Sequence, residues 1–188
     1  MSKTDYDVLL VPGDLAYADT QQPLWDTFGR FVQKHASRRP WMVTEGNHEV
    51  EAGMALPGSP PPFVAYTARW RMPYEESGSA SALYYSFNAA GGAVHVVMLG
   101  SYAAFNSTSA QYGWLARDLA RVDRRATPWL VVQLHAPWYN TNAAHAGEGE
   151  AMRKAMERLL YEARVDVVFS GHVHAYERFV SCFDRVNV

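Results

Sequence analysis

Four short apolar runs in this 188-residue sequence each end in side chains that bind metal ions in proteins. The donors that follow the runs are, in chain order, Asp14 and Tyr17, Asn47 with His48, His135, and His172 with His174. Oxygen donors suit hard cations, whereas imidazoles suit borderline ions such as Zn, Mn or ferrous iron. The mixed set therefore fits two different metal ions better than one. Each motif alone is more often a turn, a helix cap or a satisfied polar group than a metal ligand.

Asp14 and Tyr17 say most about the kind of ions. The two carboxylate oxygens of Asp14 could bridge a pair of cations roughly 3.5–4 Å apart, as in two-metal phosphoryl-transfer sites. A phenol with a pKa of about 10 ionises readily only beside a strong Lewis acid, so Tyr17 indicates a trivalent ion. The alternative for Tyr17 is a buried aromatic side chain whose hydroxyl is paired.

The histidines divide into ligands and structural residues by their position. His172 and His174 are two residues apart in an extended segment, so both project to the same side and could reach one cluster. His35 in a predicted helix and His95 in a predicted hairpin follow no ligand-bearing turn, and we assign both to structure.

Two further histidines are candidates for contact with a substrate. His48 follows the ligand candidate Asn47 and could hydrogen-bond a substrate oxygen; the alternative is that it orients the neighbouring loop. His145 lies in the loop after His135 and could donate a proton to a leaving group; the alternative is a solvated loop histidine.

The elements that must position these residues follow from hydrophobic periodicity. Residues Asp7 to Val11 predict a strand covered on both faces. A helix from Thr20, capped by Thr20 or Asp19, has an apolar stripe of Leu24, Trp25, Phe28, Phe31 and Val32. Trp41 to Val43 predict the next strand. A strand–helix–strand unit makes a right-handed crossover and a parallel pair, so both ligand turns lie at one edge of the sheet.

The rest of the chain predicts antiparallel strands beside parallel ones. Leu83 to Phe87 and Val94 to Leu99 flank Ala90-Gly91-Gly92 and predict a hairpin. A helix follows, with an apolar stripe of Tyr112, Leu115, Leu119 and Val122 and with Arg117, Asp118 and Arg121 facing water. After a strand over 130–134, a second helix begins at about Glu148 and packs inward through Met152, Ala155, Met156, Leu159 and Leu160. The last predicted element is a buried strand over 165–169. Glu51 to Phe63 predict a surface loop. The fold class is α/β, a sandwich with mixed sheets.

The composition and net charge of the sequence limit the kinds of partner that the protein can bind. The hydrophobic fraction of 48% predicts a globular chain. The formal net charge is −2 and no Lys/Arg run exists, which argues against nucleic acid and anionic membranes as partners. Cys182 is the single cysteine, so it forms no internal disulfide. Asn106-Ser107-Thr108 is a glycosylation sequon, which alone is weak evidence for a glycoprotein.

Four blocks of the sequence resemble the plant-type purple acid phosphatases, within the calcineurin-like metallophosphoesterase superfamily. They are Gly13-Asp14-Leu15-Ala16-Tyr17, Gly46-Asn47-His48-Glu49, Val132-Gln133-Leu134-His135 and Gly171-His172-Val173-His174. Segments 136–140 and 175–178 match as well, so the resemblance covers nearly all of Asp5 to Arg178. The resemblance implies an α/β/β/α metallophosphoesterase sandwich.

The resemblance also implies a role for each candidate residue. Asp14 would bridge the metals; Tyr17 and His174 would bind ferric iron; Asn47, His135 and His172 would bind a divalent ion (Zn, Mn or Fe); His48 and His145 would contact the substrate and the leaving group. The implied activity is an acid phosphatase that hydrolyses small phosphate monoesters by attack of a metal-bound hydroxide. By resemblance the protein is secreted or vacuolar, and its oligomeric state is open.

Two departures from the family pattern generate the alternatives. The family has an upstream strand ending in Asp-x-Gly, whose Asp is another iron ligand, and residues 179–188 do not resemble the family. We therefore expect an incomplete catalytic domain over 1–178, without the first and last strands, followed by a divergent tail over 179–188. One alternative is an impaired truncated product that keeps only a divalent site. The other is a metallophosphodiesterase or pyrophosphatase.

Overall fold

The computed structural model describes residues 5–51, 61–180, 182–183 and 186–187. Its strands and helices are β1 (Leu9–Val11), α1 (Pro23–Ala36), β2 (Trp41–Val43), α2 (Val64–Arg69), β3 (Tyr85–Ala89), β4 (Val94–Met98), α3 (Ala110–Leu119), β5 (Trp129–Gln133), α4 (Glu150–Glu162), β6 (Val167–Phe169), β7 (Cys182–Phe183) and β8 (Val186–Asn187). The predicted surface loop falls largely on residues 52–60, outside the described residues. Every helix in the described part is too short or too polar to cross a bilayer.

Within the described residues the strands form three sheets, of which one is parallel, one is mixed and one is antiparallel. β1 and β2 pair in parallel, with Leu9 opposite Trp41. The second sheet has the order β3-β4-β5-β6, in which β3 and β4 are antiparallel and the other pairs are parallel. β7 and β8 form a short antiparallel pair. The predicted α/β class with mixed sheets is confirmed, including the hairpin and the parallel pair.

The core has two parts, and β4 lies between them. Val96 and Met98 face a cluster that contains β1, β2, α1 and α2, whereas Val97 faces a cluster that contains α3 and α4. Successive side chains of a strand point to opposite faces, so one strand can contribute to both clusters. The order of layers is therefore helix, sheet, sheet and helix, as expected for a sandwich.

The start of α1 differs from the prediction. Asp19 and Thr20 have φ angles of 46° and 80°, so they lie in a tight turn and cannot cap the helix. Gln22 takes the cap position, and Pro23 opens the first turn. Asp19 instead accepts a hydrogen bond from His48, a contact between distant residues that propensity rules do not reveal.

The apolar stripe of α1 is narrower than predicted. Trp25 and Val32 are buried and Phe28 is half-buried, but Leu24 is exposed and Phe31 is 77% exposed. The helix thus packs through the positions nearest to β2, and its outer apolar residues lie in solvent.

Asp118 was predicted in solvent but is buried. Its carboxylate accepts hydrogen bonds from Ser86 Oγ at 2.8 Å and from His95 Nε2 at 2.9 Å. These contacts fasten α3 to the β3–β4 hairpin and agree with a structural role for His95. Helix α3 ends at Leu119, so Val122 lies beyond it.

Two strands and one helix differ in extent or burial from their predictions. β1 begins at Leu9 rather than Asp7 and is half-buried rather than covered on both faces. The predicted buried strand over 165–169 is reduced to β6, whose three side chains are exposed because β6 is the outermost strand of its sheet among the described residues. Helix α4 begins at Glu150, which leaves Glu148 in the preceding loop.

Glu45 joins the two sheets where β2 and β4 end. Its carboxyl group accepts from the Tyr102 backbone N–H at 3.1 Å and lies 2.7 Å from Thr44 Oγ, which donates to the Leu99 carbonyl at 3.0 Å. Complete burial raises the pKa of Glu45 to about 8. A neutral acid suits this geometry, because its O–H can donate to the hydroxyl of Thr44.

Glu45→Gln should remove a pH-dependent loss of stability. The unfolded carboxyl ionises above a pH of about 4.5, whereas the folded carboxyl stays neutral until about pH 8, so its contribution to stability falls across this interval. Relative to wild type, the variant should gain on the order of 3 kcal/mol in free energy of unfolding between pH 4.5 and pH 7. Urea unfolding in chelator measures this gain. Exposed Glu75→Gln should show none, and a constant difference for Glu45→Gln would contradict the prediction.

Candidate metal centre

The carboxyl ends of β1, β2, β5 and β6 lead into one cleft. Its volume is about 300 Å³, and its lining residues are Asp14, Asn47, His48, Asn142, His145, His172 and His174. Tyr17 and His135 contact this set directly. The structure thus brings all eight candidate residues together, as expected when parallel strands deliver their following turns to one sheet edge.

Tight turns aim the ligand candidates into the cleft. Asp14, Tyr17 and His172 have φ angles of 56°, 47° and 65°, in the left-handed region that costs free energy for residues other than glycine. Gly46 leaves no room for a side chain, because an added Cβ would lie 2.2 Å from Asp14 Oδ1. The strain at three candidate residues indicates that the rest of the fold holds them in place.

Glu49 connects the first two turns, a role that nothing in the sequence indicates beyond its position beside His48. Its carboxylate accepts from the backbone N–H groups of Asp14 and Leu15, both at 2.7 Å, and of Gly46 at 2.8 Å. Three backbone donors satisfy a buried carboxylate and fix the two loops against each other.

Four potential metal-binding atoms form the most closely packed part of the centre. Asn47 Oδ1 is 2.9 Å from His172 Nδ1 and 3.1 Å from His135 Nε2. The two ring nitrogens are 3.2 Å apart, and Asp14 Oδ2 is 3.3 Å from His135 Nε2. These distances place two oxygens and two nitrogens around a single small volume.

The outer nitrogens of both rings determine what the inner nitrogens present. His135 Nδ1 contacts the Pro12 carbonyl and His172 Nε2 contacts the Glu148 carboxylate, and both partners can only accept a hydrogen bond. The outer nitrogens therefore carry protons, and a neutral ring turns a lone pair inward. All four inner atoms are then acceptors, which repel one another unless a proton or a metal ion lies between them. The residues present thus fit a metal ion.

Tyr17 and His174 form a second group around Asp14. The Tyr17 hydroxyl is 2.9 Å from His174 Nε2 and 3.4 Å from Asp14 Oδ2. Burial and the negative charge of Asp14 raise the pKa of Tyr17, so its phenol ionises only if a cation compensates. Burial alone would raise the pKa of Asp14, but the close contact with His135 and the hydrogen bond from the His48 backbone N–H outweigh it and lower that pKa. Asp14 is the one carboxylate shared by both groups.

Each of the two candidate substrate histidines contacts a carboxylate that the sequence analysis did not single out. His48 Nδ1 is 2.6 Å from Asp19, and the His48 ring lies against that of Tyr17, with centroids 4.2 Å apart. His145 Nδ1 is 3.2 Å from Glu148, which also contacts His172. The spacing of Asp19 two residues after Tyr17, and of Glu148 three after His145, could have suggested both partners.

Comparison with known proteins places these features in a family context. The profile of the calcineurin-like phosphoesterases matches residues 2–176. Purple acid phosphatase 22 of Arabidopsis thaliana is 66% identical over 185 residues, which are 98% of this chain and 42% of that protein. The phosphoenolpyruvate phosphatase of Allium cepa is 46% identical over 180 residues, covering 94% of this chain and 37% of that protein.

A solved structure agrees with the sequence comparison. The purple acid phosphatase PPD1 from yellow lupin seeds superposes with a TM-score of 0.82 at 26% identity, over 97% of this chain and 33% of that one. The chain thus spans less than half the length of these relatives.

Gly46→Ala should disrupt the centre, because its methyl group would overlap Asp14 and lie 2.7 Å from His135 Cε1. We expect zinc affinity to fall at least tenfold, measured by calorimetry. Gly29→Ala is the matched control, since an added Cβ there meets no atom within 4 Å and the position is helical. Equal zinc affinity in both variants would show that the turn tolerates a side chain and that the geometry does not limit binding.

Proposed function

This chain belongs to the calcineurin-like phosphoesterase family, and from that membership we propose that it is the metal-binding part of an acid phosphatase that hydrolyses phosphate monoesters. The observation that carries the proposal is the convergence of four acceptor atoms from Asp14, Asn47, His135 and His172. Such a group needs a cation, and a cation beside a small open cleft suits a phosphate ester. The identities to plant purple acid phosphatases support the same activity.

We assign the ligands to two ions that share Asp14. Asn47, His135 and His172 would hold a divalent ion (Zn, Mn or Fe), and Tyr17 with His174 would hold ferric iron. When bound, the ions would act as Lewis acids that activate water and neutralise charge on the phosphoryl group. The phenol of Tyr17 suits the ferric position, because its pKa is raised and only a strong Lewis acid would ionise it.

The chain supplies the remaining chemistry through its histidines. His48, held by Asp19, would donate a hydrogen bond to a phosphoryl oxygen. His145, held by Glu148 at the cleft wall, would donate a proton to the departing alcohol. The cleft of about 300 Å³ is at the small end of ligand pockets, which favours small monoesters over diesters.

Loading the chain with Fe(III) and Zn should give two ions per chain, hydrolysis of p-nitrophenyl phosphate and a visible absorption band from the iron-bound phenolate of residue 17. Tyr17→Phe should lose the band and the iron while it keeps zinc, because the divalent ligands are intact. Metal analysis and absorption spectroscopy measure both effects.

Two outcomes would replace this proposal. One zinc ion per chain without turnover would favour the alternative of an impaired product that keeps a divalent site. Faster hydrolysis of bis-p-nitrophenyl phosphate than of the monoester would favour the phosphodiesterase alternative.

We further propose that the protein is glycosylated at Asn106 and acts outside the cytosol, in a secreted or vacuolar location. Asn106 is exposed, and its side-chain oxygen accepts hydrogen bonds from Thr108 N at 3.2 Å and Thr108 Oγ at 2.9 Å, so the side chains of the sequon are ordered at the surface. Expression in plant cells from its native gene should give a form whose mass falls on glycosidase treatment. Asn106→Gln should abolish that mass difference. An unshifted wild-type protein would contradict the modification, and recovery of the protein in the cytosolic fraction would contradict the location.

A further inference from the structure

A buried polar network lies behind the wall of the cleft that carries His145. Its centre is Arg153 on α4, which is 2% exposed. Arg153 Nε and Nη2 donate to the two carboxylate oxygens of Glu150 at 2.9 and 3.0 Å, and Nη1 donates to Glu157 at 2.6 Å. The Tyr139 hydroxyl donates to the other oxygen of Glu157, and the guanidinium carbon lies 5.6 Å from the centre of the Tyr139 ring.

This network joins α4 to the loop over residues 136–149, which we call the His145 loop. Tyr139 belongs to the first part of the loop, whereas the two glutamates belong to the helix that follows it. The loop ends are also close in space, because a Cβ on Gly149 would lie 2.2 Å from the Pro137 carbonyl oxygen. The network therefore closes the base of the loop.

The apex of the His145 loop depends on this base. The apex is a single turn over Ala143–His145 followed by a short exposed segment, and the His145 ring lies against that of His172. The Asn140 side chain, next to Tyr139, contacts the His145 carbonyl at 3.4 Å. Glu148, two residues before the network glutamate Glu150, contacts both His145 and His172. A shift of the base would be transmitted to the proton donor.

The electrostatics of the network favour a fixed geometry. The hydrogen bonds that Arg153 donates to Glu150, together with the charge of Glu157, raise the pKa of Arg153, so it stays charged. A buried guanidinium with two carboxylates is costly to rearrange, because any partner that leaves uncovers a buried charge. Planar two-pronged pairing adds directional precision. The network around Arg153 therefore suits a structural role, in which it holds the base of the His145 loop, rather than a catalytic one.

We propose that Tyr139, acting through Glu157, Arg153 and Glu150, is a positioning residue that sets His145 for proton transfer to the leaving group. The inference rests on the proposed phosphatase function. Tyr139 is not among the residues that line the cleft, so it would act on the substrate through the elements that it contacts, foremost the His145 loop to which it belongs.

The test uses substrates that differ in their need for a proton. The 188-residue chain loaded with Fe(III) and Zn is assayed with p-nitrophenyl phosphate, whose phenolate leaves readily, and with an alkyl phosphate, whose alcohol must be protonated. Tyr139→Phe removes one hydroxyl from the network and keeps the ring. Tyr74→Phe is the matched control, because it removes a tyrosine hydroxyl that bonds the exposed carboxylate of Glu75 at 3.2 Å.

Tyr139→Phe should lower kcat for the alkyl phosphate about tenfold and kcat for p-nitrophenyl phosphate less than twofold, with metal content and KM unchanged. Tyr74→Phe should leave both rates unchanged. In a His145→Ala background, Tyr139→Phe should have no further effect on the alkyl phosphate, because the group that it positions is gone. Hydrogen exchange of residues 143–149 should also become faster in Tyr139→Phe.

The outcomes separate this inference from the proposed function. Equal loss of both activities, or an undiminished effect of Tyr139→Phe in the His145→Ala background, overturns the positioning role while the phosphatase stands. A metal-loaded wild type without turnover overturns the proposed function. In that case the hydrogen-exchange measurement still tests whether Tyr139 holds the His145 loop in place. Unchanged exchange of residues 143–149 in Tyr139→Phe would show that it does not.

Discussion

The structure depends on a set of acceptor atoms that cannot be stable together without a cation. The Pro12 carbonyl and the Glu148 carboxylate each take the outer proton of an imidazole, so His135 and His172 direct lone pairs toward the oxygens of Asn47 and Asp14. In water such groups would be solvated separately. In the folded chain these groups are held close together, and their repulsion destabilises the metal-free state. A bound ion would remove this repulsion, which would add to its binding free energy and stabilise the folded state.

The acceptor atoms are held together by side chains that fix the turns at the strand ends, and the strands themselves are short. β1, β2 and β6 have three residues each, yet their following turns are joined by charged and polar side chains. Glu49 holds the turns after β1 and β2 together, and Glu45 connects the ends of β2 and β4. Buried acidic side chains are costly, but Glu49 accepts three backbone N–H groups and Glu45 accepts one, groups that would otherwise be unpaired at the sheet edge.

The sequence alone predicts the strands, their parallel pairing and the approach of distant ligand candidates, because these follow from periodicity and from the handedness of crossovers. It does not predict burial that depends on how elements pack. Phe31 lies in solvent although it fits the helix stripe, and Asp118 is buried although it is charged, because Ser86 and His95 happen to meet it. Asp19 and Glu148 were not predicted as partners, because their contacts with His48 and His172 join residues that are distant in the chain and depend on the folded structure.

The carboxylate of Glu148 contacts both a candidate metal ligand and the candidate proton donor. One carboxylate contacts His172, whose inner nitrogen faces the ligand group, and His145, which faces the cleft. The hydrogen bond from His172 lowers the pKa of Glu148, so the carboxylate stays ionised and can orient both rings at once. A positive ion near His172 would strengthen the ring's outer N–H as a donor and draw Glu148 toward it, at the expense of the contact with His145. Under the proposed function, metal occupancy and the orientation of the proton donor would therefore be coupled through the side chain of Glu148.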